Sequence, residues 1–481
     1  MSTAAALTAR DFRCVARGGF GDPYNAYAHT MAWFDGALYV GTTRANLHLR
    51  RANDPPGLRP WPVRCPADVY DLDLRAQIWR YDPGPGTWRQ VLRSPMVRGR
   101  GGQRVPRDIG YRGITAAPAS NGRPAALYVT TWAPSRGPAP IMLRSQDGKR
   151  FERVGRPEVL SERPVSYRAM VAFNGRLYTA PLGRPGGRPN VSGDAVVLES
   201  DDPAAGWRVA GPPGFGDSGN GAIVELAEFA GHLYAGTLNA VRGYEVWRTA
   251  AQGRPPYAWE KVLDEGAGRG RLNQAVLSMC VFGDALYVGS GIQGGGYDRT
   301  NRVGPAAGEL VRVFPDGEWD LVAGKPRLTP GGVKFPLSGR GPGFDNPFAG
   351  YLWRMCAHDG HLYLGTYDWS VLLPFLPWER MPRAVRQRVR LIGIEELVER
   401  RAGFDLWRSA NGERWTKVTG DGLGNPYNFG ARTLASTPHG LFVGTANPFG
   451  PETAFWSAGG WRYAPNDAGG LETWLGMKET G

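Results

Sequence analysis

The sequence predicts an all-β fold, a seven-bladed β-propeller of four-stranded blades, and three observations lead to it. A short phrase centred on Leu-Tyr, such as FDGALYVGTT or FGDALYVGS, recurs seven times along the 481 residues. An apolar segment precedes each copy and two more strand-like segments follow it, so one repeat carries four short strands of alternating polarity. The 69 Gly and 40 Pro favour many short strands joined by turns. Repeats of about 50 residues that cannot bury both faces alone are typical of propeller blades.

The seven copies follow one another along nearly the whole chain. Their Leu-Tyr phrases start at Phe34, Ala125, Phe173, Phe229, Phe282, His358 and Pro438. A segment such as YEVWRT follows as the third strand, and a segment with an aromatic residue, such as AWEKV, follows as the fourth. In the last copy these two segments are TAFWSA and GWRYA. We therefore expect residues 1–481 to form a single domain, with a helical insertion at residues 373–401 in blade six.

A glycine-rich phrase stands between repeats and also near both ends of the chain. GGFGDPYN at residues 18–25 matches DGLGNPYN at residues 421–428, where the phrase joins the last strand of one repeat to the next repeat. By this alignment Phe12–Val15 is an outer strand with no repeat before it. We expect it to pair with the C-terminal repeat and close the ring. Trp461–Ala464 competes for the same place, and the sequence leaves that choice open.

Charge and composition limit the classes of function. The net charge is +13, from 57 Lys and Arg against 44 Asp and Glu, and the basic residues are spread along the chain. This distribution fits a small anionic ligand or general solubility better than nucleic acid, which would need a concentrated basic patch. We find no signal peptide and no transmembrane segment, and the four cysteines show no CxxC spacing. A cytoplasmic protein without a disulfide framework is therefore expected.

Two turns carry a recognisable motif, RSQDGKRF at residues 144–151 and RSANGERW at residues 408–415. They resemble the Asp-box of neuraminidase-type repeats, S-x-D-x-G-x-x-W, with Asn411 in the Asp place of the second copy. The wider pattern also resembles kelch-like and uncharacterised bacterial propellers. The resemblance implies a turn whose Ser and Asp side chains satisfy backbone groups. It implies no activity, because many propellers without sialidase activity carry the motif.

The predicted connections differ between the two faces of the propeller. The turns after the first and third strands are short, such as FDG and FNG. The connections after the second and fourth strands are long and polar, for example residues 42–75, 290–307 and 366–403. Long polar loops gathered on one side of a rigid scaffold mark that side as the functional face.

Charged side chains of the innermost strands are predicted to meet near one depth of the central channel. Aligning the strands on the Leu-Tyr leucines, and on the YR pair shared by GYRGI and SYRAM, brings together Arg112, Arg168, Arg354, Arg432, His29 and Glu225. Converging guanidinium groups suit a carboxylate or phosphate, because each fork binds two oxygens. This arrangement is similar to the arginine triad of sialidases. The alternative is that each arginine pairs with a carboxylate in the wall.

Further candidates lie on the same face. The catalytic candidates are Glu225, His29, Asp108 and Tyr167, since such groups beside arginines would support hydrolysis or elimination on an acidic substrate. The ligand-binding candidates are Arg112, Arg168, Arg354, Arg432, Tyr111, Asn25, Asn220, Asn273 and Asn428. The asparagines end the glycine phrases and could instead cap the turn backbone. No cofactor is expected, although Asp22, Asp217 and Asp345 leave open a calcium ion in the channel.

Residues 373–401 combine helical apolar spacing with a basic first half. They would form a lid, a docking helix for a protein partner, a membrane-surface contact or a plain insert packed on the propeller. Two functions follow from the whole pattern. One is a site at the channel mouth that binds, and chemically converts, a small anionic molecule. The other is a non-catalytic protein-interaction scaffold that uses the same face.

Overall fold

The protein is described by a computed structural model that covers residues 6–53, 57–120, 122–155, 157–186, 190–378 and 383–478. The fold is all-β and its strand pairs are antiparallel. Twenty-six strands belong to one continuous sheet, four form a second sheet, and three two-stranded hairpins complete the described strands.

Each Leu-Tyr phrase forms a strand that pairs with the apolar inner strand before it and with a shorter third strand after it. We call the strands that go with one phrase a unit and number the units along the chain. The first unit comprises Asn25–Phe34, Ala37–Arg44, Gln77–Asp82 and Thr87–Arg93. The second comprises Gly110–Ala117, Ala126–Trp132, Met142–Ser145 and Glu152–Val154. The third comprises Ser166–Tyr167, Val171–Phe173, Arg176–Thr179, Pro181–Leu182, Leu198–Ser200 and Arg208–Val209.

The later units follow the same order. The fourth comprises Asn220–Phe229, His232–Asn239, Val246–Thr249 and Glu260–Leu263. The fifth comprises Ala275–Phe282, Ala285–Gly291, Leu310–Val313 and Trp319–Ala323. The sixth comprises Ala349–His358, His361–Asp368, Leu406–Ser409 and Thr416–Thr419. The seventh comprises Gly430–Thr437, Gly440–Ala446, Thr473–Gly476 and the N-terminal strand Phe12–Ala16.

Hairpins and short helices lie in the connections. The hairpins are Met96–Arg98 with Arg104–Pro106, Arg327–Thr329 with Gly332–Lys334, and Glu452–Ser457 with Gly460–Pro465. The α-helical segments are Gly18–Gly21, Asn46–Asn53, Glu265–Gly268, Arg383–Ile392 and Ile394–Arg401. The 3₁₀ turns are Ala9–Asp11, Val69–Asp71, Pro213–Gly216, Gly270–Leu272, Pro342–Asp345 and Ser370–Phe375.

The seventh unit corrects one assignment made from the sequence. TAFWSA and GWRYA pair with each other in the last hairpin and are not the third and fourth strands of the unit. The third strand is Thr473–Gly476, which pairs with Gly440–Ala446 on one side and with Phe12–Ala16 on the other. The N-terminal strand pairs with the last unit, as predicted, and it lies outermost there, which decides the choice against Trp461–Ala464 that the sequence left open.

The physical reason lies in a motif that TAFWSA lacks. At or directly before the start of the third strand, four units have a carboxylate or amide two positions before a Trp, as in Gln77-Ile-Trp79 and Glu472-Thr-Trp474. The Glu472 carboxylate accepts hydrogen bonds from Trp474 Nε1 at 2.9 Å and from Asn428 Nδ2 at 2.7 Å. These buried bonds select ETW over TAFW as the third strand, because an unpaired buried acid would be costly.

A glycine three residues after the leucine in five of the seven Leu-Tyr phrases allows neighbouring units to approach closely. A Cβ atom on Gly365 would lie 2.3 Å from the Cβ of Ala431, and one on Gly236 would lie 2.6 Å from the Cβ of Val276. Single bridges also join successive units, among them Thr43 with Gly110 and, from the seventh unit back to the first, Ala446 with Tyr27. Apolar clusters fill the space between the inner strands of neighbouring units.

Candidate functional site

The inner strands share an irregularity that re-aims one side chain per unit. In six of them the pairing with the Leu-Tyr strand skips one residue, and the skipped residues are His29, Arg112, Val224, Leu277, Trp353 and Arg432. Arg168 lies in the corresponding break between the two pieces of the third inner strand. A β-bulge turns its extra residue out of the regular alternation and is common beside functional sites. Four of these seven positions carry a guanidinium or imidazole group.

The predicted arginines and histidine lie within electrostatic reach of one another. Burial, and then the charges of Arg432, Arg112, Arg168 and Arg354, hold the pKa of His29 well below its ordinary value. The imidazole Nδ1 lies 2.7 Å from the Oγ1 of Thr43. His29 is therefore a neutral hydrogen-bonding group at physiological pH. We call the four arginines together with His29 and Glu225 the arginine cluster.

The guanidinium groups also disturb one another. Burial and the neighbouring Arg168 lower the pKa of Arg112 to about 9. Burial lowers the pKa of Arg168 to about 10, although Glu225 opposes the shift. Burial and the other three arginines lower the pKa of Arg432 well below its ordinary value. Because the charged form of arginine is so strongly favoured in water, such shifts mark an unusually concentrated and desolvated positive charge.

The hydrogen-bonding capacity of the cluster is largely unused. Glu225 Oε1 lies 3.4 Å from Arg354 Nη1, a long ion pair. Within the described residues, Arg112, Arg168 and Arg432 form no ion pair with any carboxylate. The Nε atoms of all four arginines, and Nη1 of Arg432, are buried without a hydrogen-bond partner in that part of the chain. The alternative in which each arginine pairs with a wall carboxylate therefore finds support only at Arg354.

Two tryptophans hold the guanidinium planes. The Arg112 guanidinium lies over the Trp132 ring at 4.4 Å, and that of Arg432 lies over the Trp353 ring at 5.0 Å. The Trp353 ring is itself fixed edge-on by Tyr351 at 5.6 Å. Stacking covers one face of a guanidinium and leaves its N–H edge available. Sequence reasoning missed both tryptophans, because an aromatic residue at the end of a Leu-Tyr strand or at a bulge looks like any core aromatic.

The asparagines of the glycine phrases have a different role from the arginines. Asn25 Nδ2 donates to the Gly19 carbonyl at 2.8 Å and to Gln77 Oε1 at 2.9 Å, and its Oδ1 accepts from Arg44. Asn220, Asn273 and Asn428 likewise donate to a glycine carbonyl of their own phrase and to a buried glutamate. In each asparagine both the side-chain nitrogen and the side-chain oxygen are hydrogen-bonded within the protein. These bonds fit the capping alternative, and we do not retain the asparagines as ligand-binding residues.

The remaining candidates lie apart from the cluster. Asp108 is buried beside Ser94 and Arg107, with 3.5 Å between its Oδ1 and Arg107 Nη1. Burial raises its pKa to about 6. Tyr111, also buried, lies next to Asp108, and Tyr167 packs in an apolar cluster with Met170. The structure thus brings Glu225 and His29, but not Asp108, Tyr111 or Tyr167, together with the arginines.

The carboxylates considered for a cation are paired with arginines. Asp22 bonds Arg44 at 2.8 Å, and Asp217 and Asp345 form ion pairs with Arg242 and Arg340. Among the described residues no group of three or more His, Cys, Asp and Glu side chains is arranged to hold a metal ion.

The region 373–401 contains the end of the turn Ser370–Phe375 and the two helices from Arg383 to Arg401. Residues 379–382 lie outside the described part. Leu391 and Ile392 are exposed at the junction of the helices. A partner for this segment stays a prediction. In the described chain, no helix has the length and apolar character needed to cross a bilayer.

Comparison with known proteins leaves the function open. No family model and no curated protein matches the chain. Similar solved structures include the computationally designed Ika8 protein, with 9% identity, 94% of this chain and 96% of that chain covered, and a TM-score of 0.40. A Trypanosoma rangeli sialidase in complex with sialic acid is 10% identical over 71% of this chain and 52% of that chain, with a TM-score of 0.36. This chain thus matches about half the length of the sialidase. A puromycin-hydrolysing peptidase from Mycobacterium tuberculosis is 14% identical over 94% of this chain and 61% of that chain, with a TM-score of 0.38.

Proposed function

We propose that residues 1–481 form one seven-bladed β-propeller that binds a small anionic ligand where its channel opens on the loop-rich face. The four-stranded units and the bridge from Ala446 back to Tyr27 support a closed ring. The bonds of the two motif turns support Asp-boxes. Asp147 Oδ1 accepts from the backbone N–H groups of Lys149 and Arg150 at 2.8 Å, and Ser409 Oγ accepts from Gly412 at 2.8 Å.

The observation that carries the ligand-binding proposal is the set of buried guanidinium edges without partners. A buried N–H group without an acceptor costs free energy, and a charged one costs more. A carboxylate or phosphate among Arg112, Arg168 and Arg432 would accept hydrogen bonds from these edges and neutralise part of the charge. The site is therefore built to gain stability when an oxyanion enters.

A chemical step on the bound ligand would use Glu225 or His29. They are the two candidate proton-transfer groups that the structure brings together with the arginines. Glu225 would accept a proton from the ligand, and His29, held neutral by its neighbours, would donate a hydrogen bond to it. Asp108 and Tyr167 contact other groups and have no part in this proposal.

The test compares Arg168→Lys and Arg112→Lys with the native protein. Lysine keeps the charge but loses the fork, so binding of inorganic phosphate, measured by calorimetry, should weaken by roughly 1–3 kcal/mol. The melting temperature without ligand should change little, because neither side chain forms an ion pair in the described structure. Full-strength phosphate binding by both variants, or no anion binding by the native protein, would contradict the proposal. The interaction-scaffold alternative would then lead.

A further inference from the structure

We propose that the ligand of the arginine cluster is a compact, multiply charged oxyanion, with at least two negative charges, rather than a monoanion. The inference rests on the proposed function and adds the charge class of the ligand. Phosphorylated compounds and small di- or tricarboxylates share this chemistry.

The first argument is the charge count. The cluster contains four guanidinium groups, one carboxylate, and an imidazole whose pKa is held well below its ordinary value by burial and then by the charges of the arginines. Three positive charges therefore stay without a compensating carboxylate among the described residues. A monoanion would leave two of them buried and unpaired, whereas a dianion or trianion would compensate most of the excess.

The second argument is the uneven position of the single acid. Glu225 contacts Arg354, and its charge also acts on Arg168 and Arg432. Burial and then Arg168 lower the pKa of Arg112, Arg112 in turn lowers that of Arg432, and among the described residues no carboxylate opposes the shift of Arg112. The guanidinium groups without an ion pair in the described chain are those of Arg112, Arg168 and Arg432, which belong to the second, third and seventh units.

The third argument is the geometry available for binding. His29, of the first unit, lies between the units that supply these three arginines. The excess charge therefore covers an arc of four successive units. The Nε–H group of each arginine is buried and has no partner in the described chain, and the Trp132 and Trp353 rings lie against the Arg112 and Arg432 guanidinium groups. Several separate guanidinium groups need several anionic oxygens on one ligand, because a single carboxylate can accept hydrogen bonds from one or two guanidinium groups at most.

The experiment is a calorimetric titration at constant ionic strength with pyrophosphate, citrate, acetate and methanesulfonate. We expect pyrophosphate or citrate to bind at least tenfold more tightly than either monoanion. Preference between the two polyanions then separates a phosphorylated ligand from a polycarboxylate.

Two variants sharpen the result. Glu225→Gln removes the only acid of the cluster and should tighten polyanion binding about tenfold, while Arg112→Gln should weaken it at least tenfold. Arg13→Gln makes the same charge change on an exposed residue of the outermost strand and should leave the affinity within twofold. Circular dichroism and melting temperature establish that each variant is folded.

The outcomes distinguish failure of the inferred charge class from failure of the proposed anion-binding function. If acetate binds as tightly as citrate and pyrophosphate, or if Glu225→Gln weakens polyanion binding, the charge class is wrong and the anion site stands. If no anion binds and Arg112→Gln has the same effect as Arg13→Gln, both the inference and the proposed function fail.

Discussion

Two buried arginines, Arg44 and Arg432, show what distinguishes the framework of this protein from its candidate site. Arg44 is fully buried, and each of its nitrogens has a partner: the Asp73 carbonyl, Asn25 Oδ1 at 2.8 Å and the Asp22 carboxylate at 2.8 Å. Arg432 is 5% exposed, and its Nε and Nη1 have no partner in the described chain. Arg44 is thus satisfied within the fold. Arg432 keeps two unpartnered nitrogens, more than Arg80 or Arg123, each of which has only an unpartnered Nε in the described chain.

The largest expected effect comes from replacing Arg44 by methionine, and the same change at Arg432 gives the comparison. Arg44→Met should lower the free energy of unfolding by roughly 3–5 kcal/mol, because it leaves the buried Asn25 Oδ1 and the half-buried Asp22 carboxylate without their partner. Arg432→Met should change it by no more than about 1 kcal/mol, since it removes a charge that nothing compensates. Urea unfolding of the two variants gives the comparison. Equal losses would remove the distinction between a structural and a ligand-binding arginine.

The buried acid Asp108 gives a second comparison, in which the free energy of unfolding depends on pH. Burial raises the pKa of Asp108 from 3.8 to about 6, so its neutral form stabilises the fold below about pH 4 and that stability is lost as the pH rises toward 6. Asp108→Asn keeps a neutral group. Its stability relative to the native protein should therefore rise by roughly 3 kcal/mol between pH 4 and pH 8, about 1.4 kcal/mol for each pKa unit.

Urea unfolding at both pH values measures this difference. The exposed Asp284→Asn serves as the matched control and should show no such trend. A stability difference that is the same at pH 4 and pH 8 would mean that Asp108 is not held neutral by its surroundings.

The smallest expected effect concerns the glycine phrases. Asn428→Ala removes the bonds to the Gly422 carbonyl and to Glu472, so unfolding should require roughly 1–3 kcal/mol less. Phosphate affinity, measured by calorimetry on the folded variant, should stay unchanged. A loss of phosphate affinity without a loss of stability would mean that Asn428 contacts the ligand and that the site extends to the glycine phrases.

Much of the architecture could be predicted because it repeats. Seven similar phrases allowed the units to be aligned, and residue spacing in that alignment located Arg168 and Arg432. The repeated glycine phrase located the N-terminal strand. Arg168 and Arg432 each lie nine residues before the leucine of the Leu-Tyr phrase in their unit, whereas Arg354 lies eight residues before Leu362. The structure supplies the reason, because the bulge in that strand falls on Trp353 and Arg354 follows it.

One strand assignment was wrong and several site assignments stayed open, because a local pattern had two meanings. TAFWSA has the apolar alternation of a third strand, but the bonds of Glu472 decide the assignment, and they join residues that are distant in sequence. An Asn after glycines reads equally well as a cap or as a ligand. Asp108 lies only four residues from Arg112, yet it is buried against Ser94 and Arg107 instead. Single-residue spacing cannot show which neighbour a side chain meets.

The position of the strand Phe12–Ala16 has a consequence for how the protein is made. Its partner strand Thr473–Gly476 is about 460 residues further along the chain. At a ribosomal rate of about 5–20 residues per second, the first strand waits roughly 20–90 s for its partner to be synthesised. Throughout that time the N-terminal segment is an unpaired strand beside a growing row of units. The strand Phe12–Ala16 can therefore pair only after Thr473–Gly476 has been synthesised.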